Sequence, residues 1–234
     1  MPRFAALTLY VLLASPALAV DITTCALGVP GGTLETVPAG TVAVLQADLS
    51  GCHYAVALED NATLQLNNHV ISDCGMFAVA CRGRRCTIEG PGEITGGDCN
   101  VYEDNALRNR RMTVRNVNMH DTSGALGGVG TRLRLENVIV TRQSRILSGA
   151  DAASRIAVSG GVVVGTNVTV TDNIGLGIFA SRRLILDDST LTGNHGYGED
   201  YDFVSIRRPR LVNVTCGVGV DGVDRPWGLC ANDP

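Results

Sequence analysis

The feature that most constrains the fold of this chain is a repeated module of strand, corner and strand, seen most clearly at residues 131–143, TRLRLENVIVTRQ. Leu133 and Leu135 alternate with arginines, which is the pattern of a strand with one buried face. Asn137 follows, and a second apolar run begins at Val138. Asparagine suits such a corner because it tolerates left-handed backbone angles and bonds to nearby backbone. One module cannot bury its own apolar face, so it must pack against similar modules.

The same module recurs along the chain with a nearly constant period. The corner residues are Asn68, Gly90, Asn116, Asn137, Asn167, Asp188 and Asn213. Their successive spacings are 22, 26, 21, 30, 21 and 25 residues. A recurring period of 21 or 22 residues, lengthened by insertions, is typical of a solenoid in which each repeat forms one coil.

Leucine-rich repeats share this period and are the competing fold. Their consensus places asparagine three positions after the last leucine, whereas Asn137 lies two positions after Leu135. The segments between modules also lack helical periodicity. We therefore predict three strands per coil, the first of which precedes each module. Candidates for this strand are AVALE from residue 55, FAVAC from 77, RIAVS from 155, GIFAS from 177 and DFVSI from 202.

This pattern resembles the right-handed parallel β-helix of the pectin-lyase-like superfamily. The asparagine corner falls where that fold has its asparagine ladder, between the second and third strands of a coil. The stretches TVAVLQADLSGC at 41–52 and NATLQLNNHVI at 61–71 are similar to secreted bacterial β-helix repeat proteins, including relatives of the periplasmic NosD family. The resemblance covers most of residues 25–230 and implies an all-β solenoid of about seven to eight coils with closed ends.

The start of the chain has the pattern of a secretory signal peptide. Residues 1–19 contain Arg3, an apolar run and the small-residue cleavage pattern Ala17-Leu18-Ala19. No other stretch is apolar for long enough to predict a membrane-spanning helix. We therefore predict a secreted or periplasmic protein. The predicted organisation is a signal peptide at 1–19, an N-terminal capping segment at 20–53, a β-helix at 54–217 and a C-terminal capping tail at 218–234.

All eight cysteines lie beyond the predicted signal peptide, and an even number in an exported chain favours disulfides. A solenoid must close both ends of its core, so bridges are expected where cysteines flank the end segments. The predicted end bridges are Cys25–Cys52 and Cys216–Cys230. The other four cysteines allow three pairings, of which we favour Cys74–Cys99 with Cys81–Cys86.

The basic residues are all arginines, and they gather at the corner before the second strand of successive coils. The groups are Arg82, Arg84 and Arg85; Arg110 and Arg111; Arg132 and Arg134; Arg182 and Arg183; and Arg207, Arg208 and Arg210. Equivalent corners of stacked coils lie about 4.8 Å apart, which predicts an arginine ridge along one edge. Guanidinium groups bind carboxylate or sulfate through two bonds, so an acidic polysaccharide is the predicted partner. The competing interpretation is a row of solvated corner residues. The net charge of −4 argues against a nucleic-acid binder of the generic basic type.

Acidic residues gather at the opposite corner, after the third strand, where insertions also lengthen the coils. The resemblance implies that a groove beside the first strand binds sugar chains, often with Ca²⁺ held by carboxylates. Candidate catalytic residues are His195, Asp200, Asp202 and Arg142. The resemblance implies an arginine base of the kind that the family's lyases use, with Arg142 or Arg145 in that role. Candidate sugar-binding residues are Asn194, Tyr197, Tyr201, Arg145, Asp121 and Asp172. His120 lies beside Asp121 in this corner. The candidate ligands of a calcium cofactor are Glu199, Asp200 and Asp202.

Structural roles compete with these functional ones. Side chains at the turns of Asp172-Asn173 and Gly193-Asn194 commonly satisfy backbone groups. The chain also has no lysine and lacks the RIK motif of the family's polygalacturonases. Two functions therefore stay open. The first is a carbohydrate-associated protein that binds an anionic polysaccharide, or cleaves it as a lyase or glycoside hydrolase, and the second is a non-catalytic structural or adhesive surface rod.

Overall fold

The computed structural model describes residues 19–27, 35–103, 110–123, 126–143, 156–195 and 201–231. These residues form twenty strands and no helix, and all but one of the strand pairings are parallel. The strands stack into a solenoid of about seven turns. The predicted all-β parallel β-helix is therefore confirmed. A helix with the length and apolar character of a membrane span is not found among these residues.

The strands are short at both ends of the stack and long in its middle. The first ten are β1 (Ala19–Ile22), β2 (Ala26–Leu27), β3 (Glu35–Val37), β4 (Val42–Leu45), β5 (Leu49–Ser50), β6 (Cys52–Leu58), β7 (Ala62–Gln65), β8 (Val70–Cys74), β9 (Phe77–Cys81) and β10 (Arg85–Gly97). The other ten are β11 (Asn100–Glu103), β12 (Arg111–His120), β13 (Leu126–Thr141), β14 (Ile156–Thr171), β15 (Leu176–Asp187), β16 (Thr190–Thr192), β17 (Phe203–Ser205), β18 (Arg210–Val212), β19 (Thr215–Cys216) and β20 (Gly219–Val220). Strands β10 and β12 to β15 continue through a corner and so contribute to two or three faces.

Each coil contributes one strand segment to each of three faces. The first face stacks β3, β6, β9 and β11 on the opening segments of β13 to β15, followed by β17 and β20. The second face runs from β1, β4 and β7 through the segments just before the asparagine corner to β18. The third face contains the segments after that corner, from β5 and β8 to β16 and β19. Strands β3 to β5, in the predicted N-terminal cap, already pair as rungs of this stack.

Strand alternation decides which side chains fill the core. Leu133, Leu135 and Val138 point inward and are fully buried, whereas Arg132 and Arg134 point outward and are exposed. Parallel pairing places equivalent residues of successive coils above one another. Full burial of each such side chain stabilises the stack by roughly 1.5 to 3 kcal/mol relative to an exposed position.

The corner between the second and third faces is built from left-handed asparagines, as predicted. Asn116, Asn137 and Asn167 each have φ of 53°. The Nδ2 group of Asn137 donates to Oδ1 of Asn116, and that of Asn167 donates to Oδ1 of Asn137, both at 2.9 Å. Asn213 donates in the same way to Asp188 at 3.0 Å. The corner amides therefore form ladders that join neighbouring coils.

The corner at Gly90 is built differently from the others. The peptide bond between Gly90 and Pro91 is cis, and Gly90 is not left-handed. The register shifts between Glu89 and Gly92, so that two residues of this coil face the single Asn116 of the next. A Cβ atom on Gly90 would lie 1.8 Å from the carbonyl oxygen of Asn116. Close approach of the two backbones, and not φ, therefore requires glycine here.

Four disulfides use all eight cysteines. Cys25–Cys52 and Cys216–Cys230 lie near the two ends of the stack, and the predicted end bridges are confirmed. The structure also contains Cys74–Cys99 and Cys81–Cys86, the pairing that we favoured among the three possibilities. These two join residues of the early coils, where the cysteines are buried in the core.

Candidate functional site

The second face carries a line of exposed arginines, which we call the arginine row: Arg85, Arg111, Arg132 and Arg183. Parallel pairing sets Arg85 opposite Arg111, and Arg111 opposite Arg132. Each lies at an outward position at the start of its second-face segment, and each side chain is exposed. Neighbouring strands of a sheet lie about 4.8 Å apart, so the three consecutive arginines recur at that spacing along the solenoid.

Val162 interrupts the arginine row. It pairs with Arg132 of the coil before and with Arg183 of the coil after. The same rung presents Val164 outward, opposite Arg134 of the preceding coil. The predicted ridge is therefore present as three consecutive arginines, one uncharged rung and a fourth arginine.

A shallow concavity of about 350 Å³ lies among the arginines of this face. Arg111, Arg132 and Arg134 line it together with Thr113 and Thr166. Planar guanidinium groups and threonine hydroxyls are donors that suit carboxylate or sulfate oxygens. The concavity therefore has the chemistry of an anion-binding surface.

The other edge of the second face has mixed charge. The column beside the asparagine corner contains Glu89, Arg115, Glu136 and Asp187. Glu136 accepts a hydrogen bond from Arg134 Nη2 at 2.5 Å, and its other carboxylate oxygen lies 2.8 Å from Arg115 Nε in an ion pair. Among the described residues, no ion pair reaches the three consecutive arginines of the row. Positive charge on this face is therefore left without a carboxylate partner along the row.

Arg110 does not belong to the exposed ridge, contrary to the prediction. Its side chain is 1% exposed, and its Nη1 group donates to the carbonyl oxygen of Cys81 at 2.7 Å. Successive side chains of a strand point to opposite sides, so Arg110 faces the core where Arg111 faces solvent.

A second polar group, the corner cluster, lies at the corner after the third face and consists of Glu93, His120, Asp121, Arg142 and Asp172. The coil register aligns Asp121 with Arg142, and Arg142 with Asp172. The Nε and Nη2 groups of Arg142 donate to the two carboxylate oxygens of Asp121, each at 2.6 Å. His120 Nδ1 lies 2.8 Å from Asp121 Oδ2, and its Nε2 lies 3.5 Å from Glu93 Oε2.

Backbone conformation places these corner side chains. Asp121, Arg142 and Asp172 have φ of 52°, 51° and 56°. Aspartate visits this left-handed region more readily than arginine, because its short polar side chain bonds locally. The paired hydrogen bonds from Arg142 to Asp121 offset part of that backbone cost.

The ion pair changes what its two members can do chemically. Hydrogen bonds from Arg142 first, and from His120 second, hold the pKa of Asp121 well below its usual range. The hydrogen bond to Asp121 in turn raises the pKa of Arg142. A guanidinium held by a carboxylate releases a proton even less readily than a free one, so this geometry does not support the predicted role of Arg142 as a base.

Asn194 and Asp202 lie inside the stack, where a bound sugar would not reach them. Their exposed fractions are 3% and 4%. The Nδ2 group of Asn194 donates to the Val170 carbonyl oxygen at 2.9 Å and to Asp202 Oδ1 at 2.8 Å. Asp202 Oδ2 accepts from the backbone N–H groups of Gly217 at 2.6 Å and Val218 at 3.0 Å. For Asn194, these hydrogen bonds fit the structural role that was the alternative to sugar binding in the sequence analysis.

The predicted calcium ligands are not brought together by the part of the chain that the structure describes. Both carboxylate oxygens of Asp202 accept N–H donors. Glu199 and Asp200 lie outside the described residues, as do Tyr197 and Arg145. Within the described ranges, no three His, Cys, Asp or Glu side chains are grouped as a metal site requires. The roles assigned to Glu199 and Asp200 stay predictions.

The remaining candidates are spread over neighbouring coils. Asp121 and Arg142 are in contact, and Asp172 is exposed on the coil after Arg142. His195 is exposed on the following coil, and its Nδ1 lies 2.7 Å from the carbonyl oxygen of Gly193. Tyr201 is partly buried. The structure therefore joins two pairs of predicted site residues directly, Asp121 with Arg142 and Asn194 with Asp202, and leaves His195 separate from the ion pair.

The sequence reasoning did not identify a groove on the third face. This groove has a volume of about 510 Å³ and runs beside the asparagine ladder. Amides of Asn116, Asn118 and Asn137 and the apolar side chain of Ile139 line it, with Glu93 at one edge. The outward positions of Glu93 and Asn118 follow from strand alternation, which was the available signal.

Two surfaces therefore carry most of the charged side chains described above, the arginine row on the second face and the corner cluster beyond the third. Comparisons with protein-family models, with curated proteins and with solved structures give no match to this chain. The assignment of a function depends on the geometry of these surfaces.

Proposed function

We propose that this chain is an exported protein that binds an anionic polysaccharide through the arginine row of its second face. The observation that carries this proposal is the register of Arg85, Arg111 and Arg132. The three side chains are exposed, occupy the same position in consecutive coils and have no ion-pair partner among the described residues. Guanidinium groups bind carboxylate and sulfate through paired hydrogen bonds, and an acidic polysaccharide presents such groups at regular intervals.

The distribution of charge favours a polysaccharide over a nucleic acid. The net charge is −4, and the arginines that recur in register on consecutive coils form a single line, Arg85, Arg111 and Arg132. Nucleic-acid binding of the generic kind depends on a broad basic surface that neutralises many phosphates. A narrow line of guanidinium groups fits a single extended acidic chain better.

The proposal does not extend to cleavage of the polymer. Arg142 is paired with Asp121, and Asp202 is buried and fully engaged by N–H donors. A catalytic acid or base must reach the bond that it acts on and must exchange a proton there. Lyase and hydrolase activity therefore stay predictions, and the proposed role of the arginine row is binding.

The compartment and the family are supported by separate features. Four disulfides favour an oxidising compartment outside the cytoplasm, in agreement with the signal peptide predicted at 1–19. Parallel stacking with an asparagine ladder supports placing the chain in the pectin-lyase-like superfamily. Fold alone does not assign an activity, so this placement adds nothing to the binding argument.

Calorimetry with polygalacturonate tests the proposal. We expect the double variant Arg111→Gln and Arg132→Gln to bind roughly fivefold to thirtyfold more weakly, since an exposed charge pair contributes up to about 1 kcal/mol. The control Arg142→Gln with Arg225→Gln removes the same charge from other exposed positions and should bind like the parent. The affinity of the parent should also fall with added salt. Absence of binding to any acidic glycan, or equal losses in both double variants, would overturn the proposal.

A further inference from the structure

We infer that the bound polysaccharide lies along the solenoid axis, across the strands, and that the arginine row sets its length register. This inference depends on the proposed function and specifies the ligand as a linear polymer with one carboxylate or sulfate on each sugar. The acidic groups of three consecutive sugars contact Arg85, Arg111 and Arg132. A fifth sugar is needed to reach Arg183, because Val162 stands between.

The charges on two of the three arginine rungs disfavour the other orientation. Outward positions along a strand are two residues apart, so a chain lying along one rung would pass Arg85, Thr87 and Glu89. Along another rung it would pass Arg132, then Arg134, then Glu136. In both cases an acidic polymer ends against a carboxylate of like charge. Only the direction across the strands offers three consecutive arginines, Arg85, Arg111 and Arg132.

The neighbouring column fixes the lateral position of the polymer. Arg134 donates to Glu136 at 2.5 Å, and Arg115 forms an ion pair with the same carboxylate at 2.8 Å, so these two guanidinium groups are already engaged. Glu89 and Glu136 repel an anion from that edge of the face. The polymer therefore lies over the arginine row, away from Glu89 and Glu136 and above the concavity that Arg111 and Arg132 line.

Rung spacing defines which polymer fits this placement. Adjacent rungs of a sheet are about 4.8 Å apart, so the ligand must present acidic groups on one side at about that interval. Each acidic group then meets one rung. The rung of Val162 and Val164 offers no charge, so the sugar above it gains no ionic contact, and the next sugar meets Arg183.

The test measures affinity for oligogalacturonates of three, four, five and six residues. For the unmodified protein we expect similar affinities for three and four residues and an increase of roughly twofold to fivefold at five, the effect of one exposed charge pair. The variant Arg183→Gln should lose the increase at five residues and keep the affinity for three. A parallel series of sulfated oligosaccharides of matched length identifies which anion is preferred.

Val162→Arg provides a gain-of-function arm, because it fills the uncharged rung with an outward-facing guanidinium. We expect it to strengthen binding of the four-residue oligomer by roughly twofold to fivefold, whereas the control Val162→Gln should not. Circular dichroism and a melting curve confirm that both variants fold.

The outcomes separate the two proposals. A step at five residues, removed by Arg183→Gln and moved to four by Val162→Arg, supports the axial orientation with either anion. Binding that grows smoothly with length, or that ignores both substitutions, overturns the axial orientation and leaves the proposed function intact. Failure of the unmodified protein to bind any acidic oligomer overturns both.

Discussion

Burial divides the carboxylates of this protein into two kinds. Asp202 is 4% exposed and accepts four hydrogen bonds, from the backbone and side chain of Asn194 and from the backbone of Gly217 and Val218. Asp121 is exposed and is held by Arg142. A buried acceptor with this many donors organises structure, whereas an exposed ion pair mainly sets local charge.

Replacing Asp202 by asparagine should destabilise the fold. The amide nitrogen of asparagine would face N–H donors, which leaves at least one buried donor unpaired and costs about 2 to 3 kcal/mol. Urea unfolding followed by circular dichroism measures the change. The control is Asp224→Asn, an exposed position with φ of 59° that asparagine tolerates, where we expect less than about 0.5 kcal/mol. Equal stability of the two variants would argue against the structural role of Asp202.

Replacing Arg142 by glutamine should raise the pKa of Asp121. The guanidinium of Arg142 is the main cause of the lowered pKa, and the smaller contribution of His120 remains in the variant. A lowered folded-state pKa stabilises the protein above the ordinary aspartate pKa of about 3.9, and this contribution is lost as the pH falls through the folded value. As the pH is lowered, the variant should therefore lose the stabilising contribution of Asp121 at a higher pH than the parent does.

Carboxyl ¹³C chemical shifts, followed as the pH is lowered, report the pKa of Asp121 directly. The control Asp172→Asn removes a distant charge that acts weakly on Arg142, so it should move the pKa of Asp121 much less. An Asp121 pKa that stays the same without Arg142 would show that the ion pair is absent in solution.

At the scale of strands and corners, the asparagine ladder was predictable because it has a local physical cause. A tight corner needs left-handed φ, and Asn137 with its equivalents supplies it at every corner that the spacing indicated except Gly90. The direction of a side chain beside a corner was not predictable in the same way. Asn194 turns inward at a corner, where strand alternation gives no direction. The inward direction of Arg110 does follow from alternation with Arg111, but a charged side chain is rarely fully buried and was therefore expected outside.

The anion-binding surface was partly predictable for the same reason. Arg85, Arg111 and Arg132 begin regular strand segments, so their exposure and alignment follow from period and alternation. The interruption of the row at Val162 also follows from period and alternation, but it is recognised only from the strand register, which pairs Val162 with Arg132. The contact of Asp121 with Arg142 depends on the corner conformation of both residues and required coordinates.

Substitutions at Asn137 should separate the two contributions of a ladder residue. Asn137→Ala loses two inter-coil hydrogen bonds and puts alanine, which tolerates left-handed φ less well than asparagine, at φ of 53°, for a combined cost of about 2 to 4 kcal/mol. Asn137→Gly keeps the backbone conformation and loses only the bonds, so it should cost about 1 to 2 kcal/mol. Urea unfolding measures both. Equal losses would mean that backbone conformation contributes nothing at this corner.

At the scale of the whole molecule, the solenoid has two open ends that its disulfides help to close. Cys216–Cys230 ties the tail to the last coil, and the carbonyl oxygen of Cys216 also accepts from the N–H of Ala231. Trp227 packs against the core from this tail, and its backbone N–H donates to the Gly219 carbonyl oxygen at 3.0 Å. In a stack where each rung contacts only its neighbours, damage at an end exposes the next rung.

Replacing both Cys216 and Cys230 by serine should loosen the C-terminal end. A bridge with a sequence separation of 14 residues contributes about 3 kcal/mol by restricting the unfolded chain. We expect faster proteolytic cleavage between residues 217 and 231, with cleavage near β4 and β7 unchanged. Mass spectrometry of the fragments locates the cuts. Uniform acceleration along the chain would show that the end does not open on its own.

The asparagine ladder also limits how this protein can be produced. Asn167 and Asn213 each begin an Asn-x-Thr triplet, the acceptor of N-linked glycans in eukaryotic secretion. The nitrogen that would carry the glycan is the same Nδ2 that donates to Asn137 or Asp188. A sugar attached there would compete with the contact between coils. Expression in a bacterial host without this modification leaves both nitrogens free to join neighbouring coils.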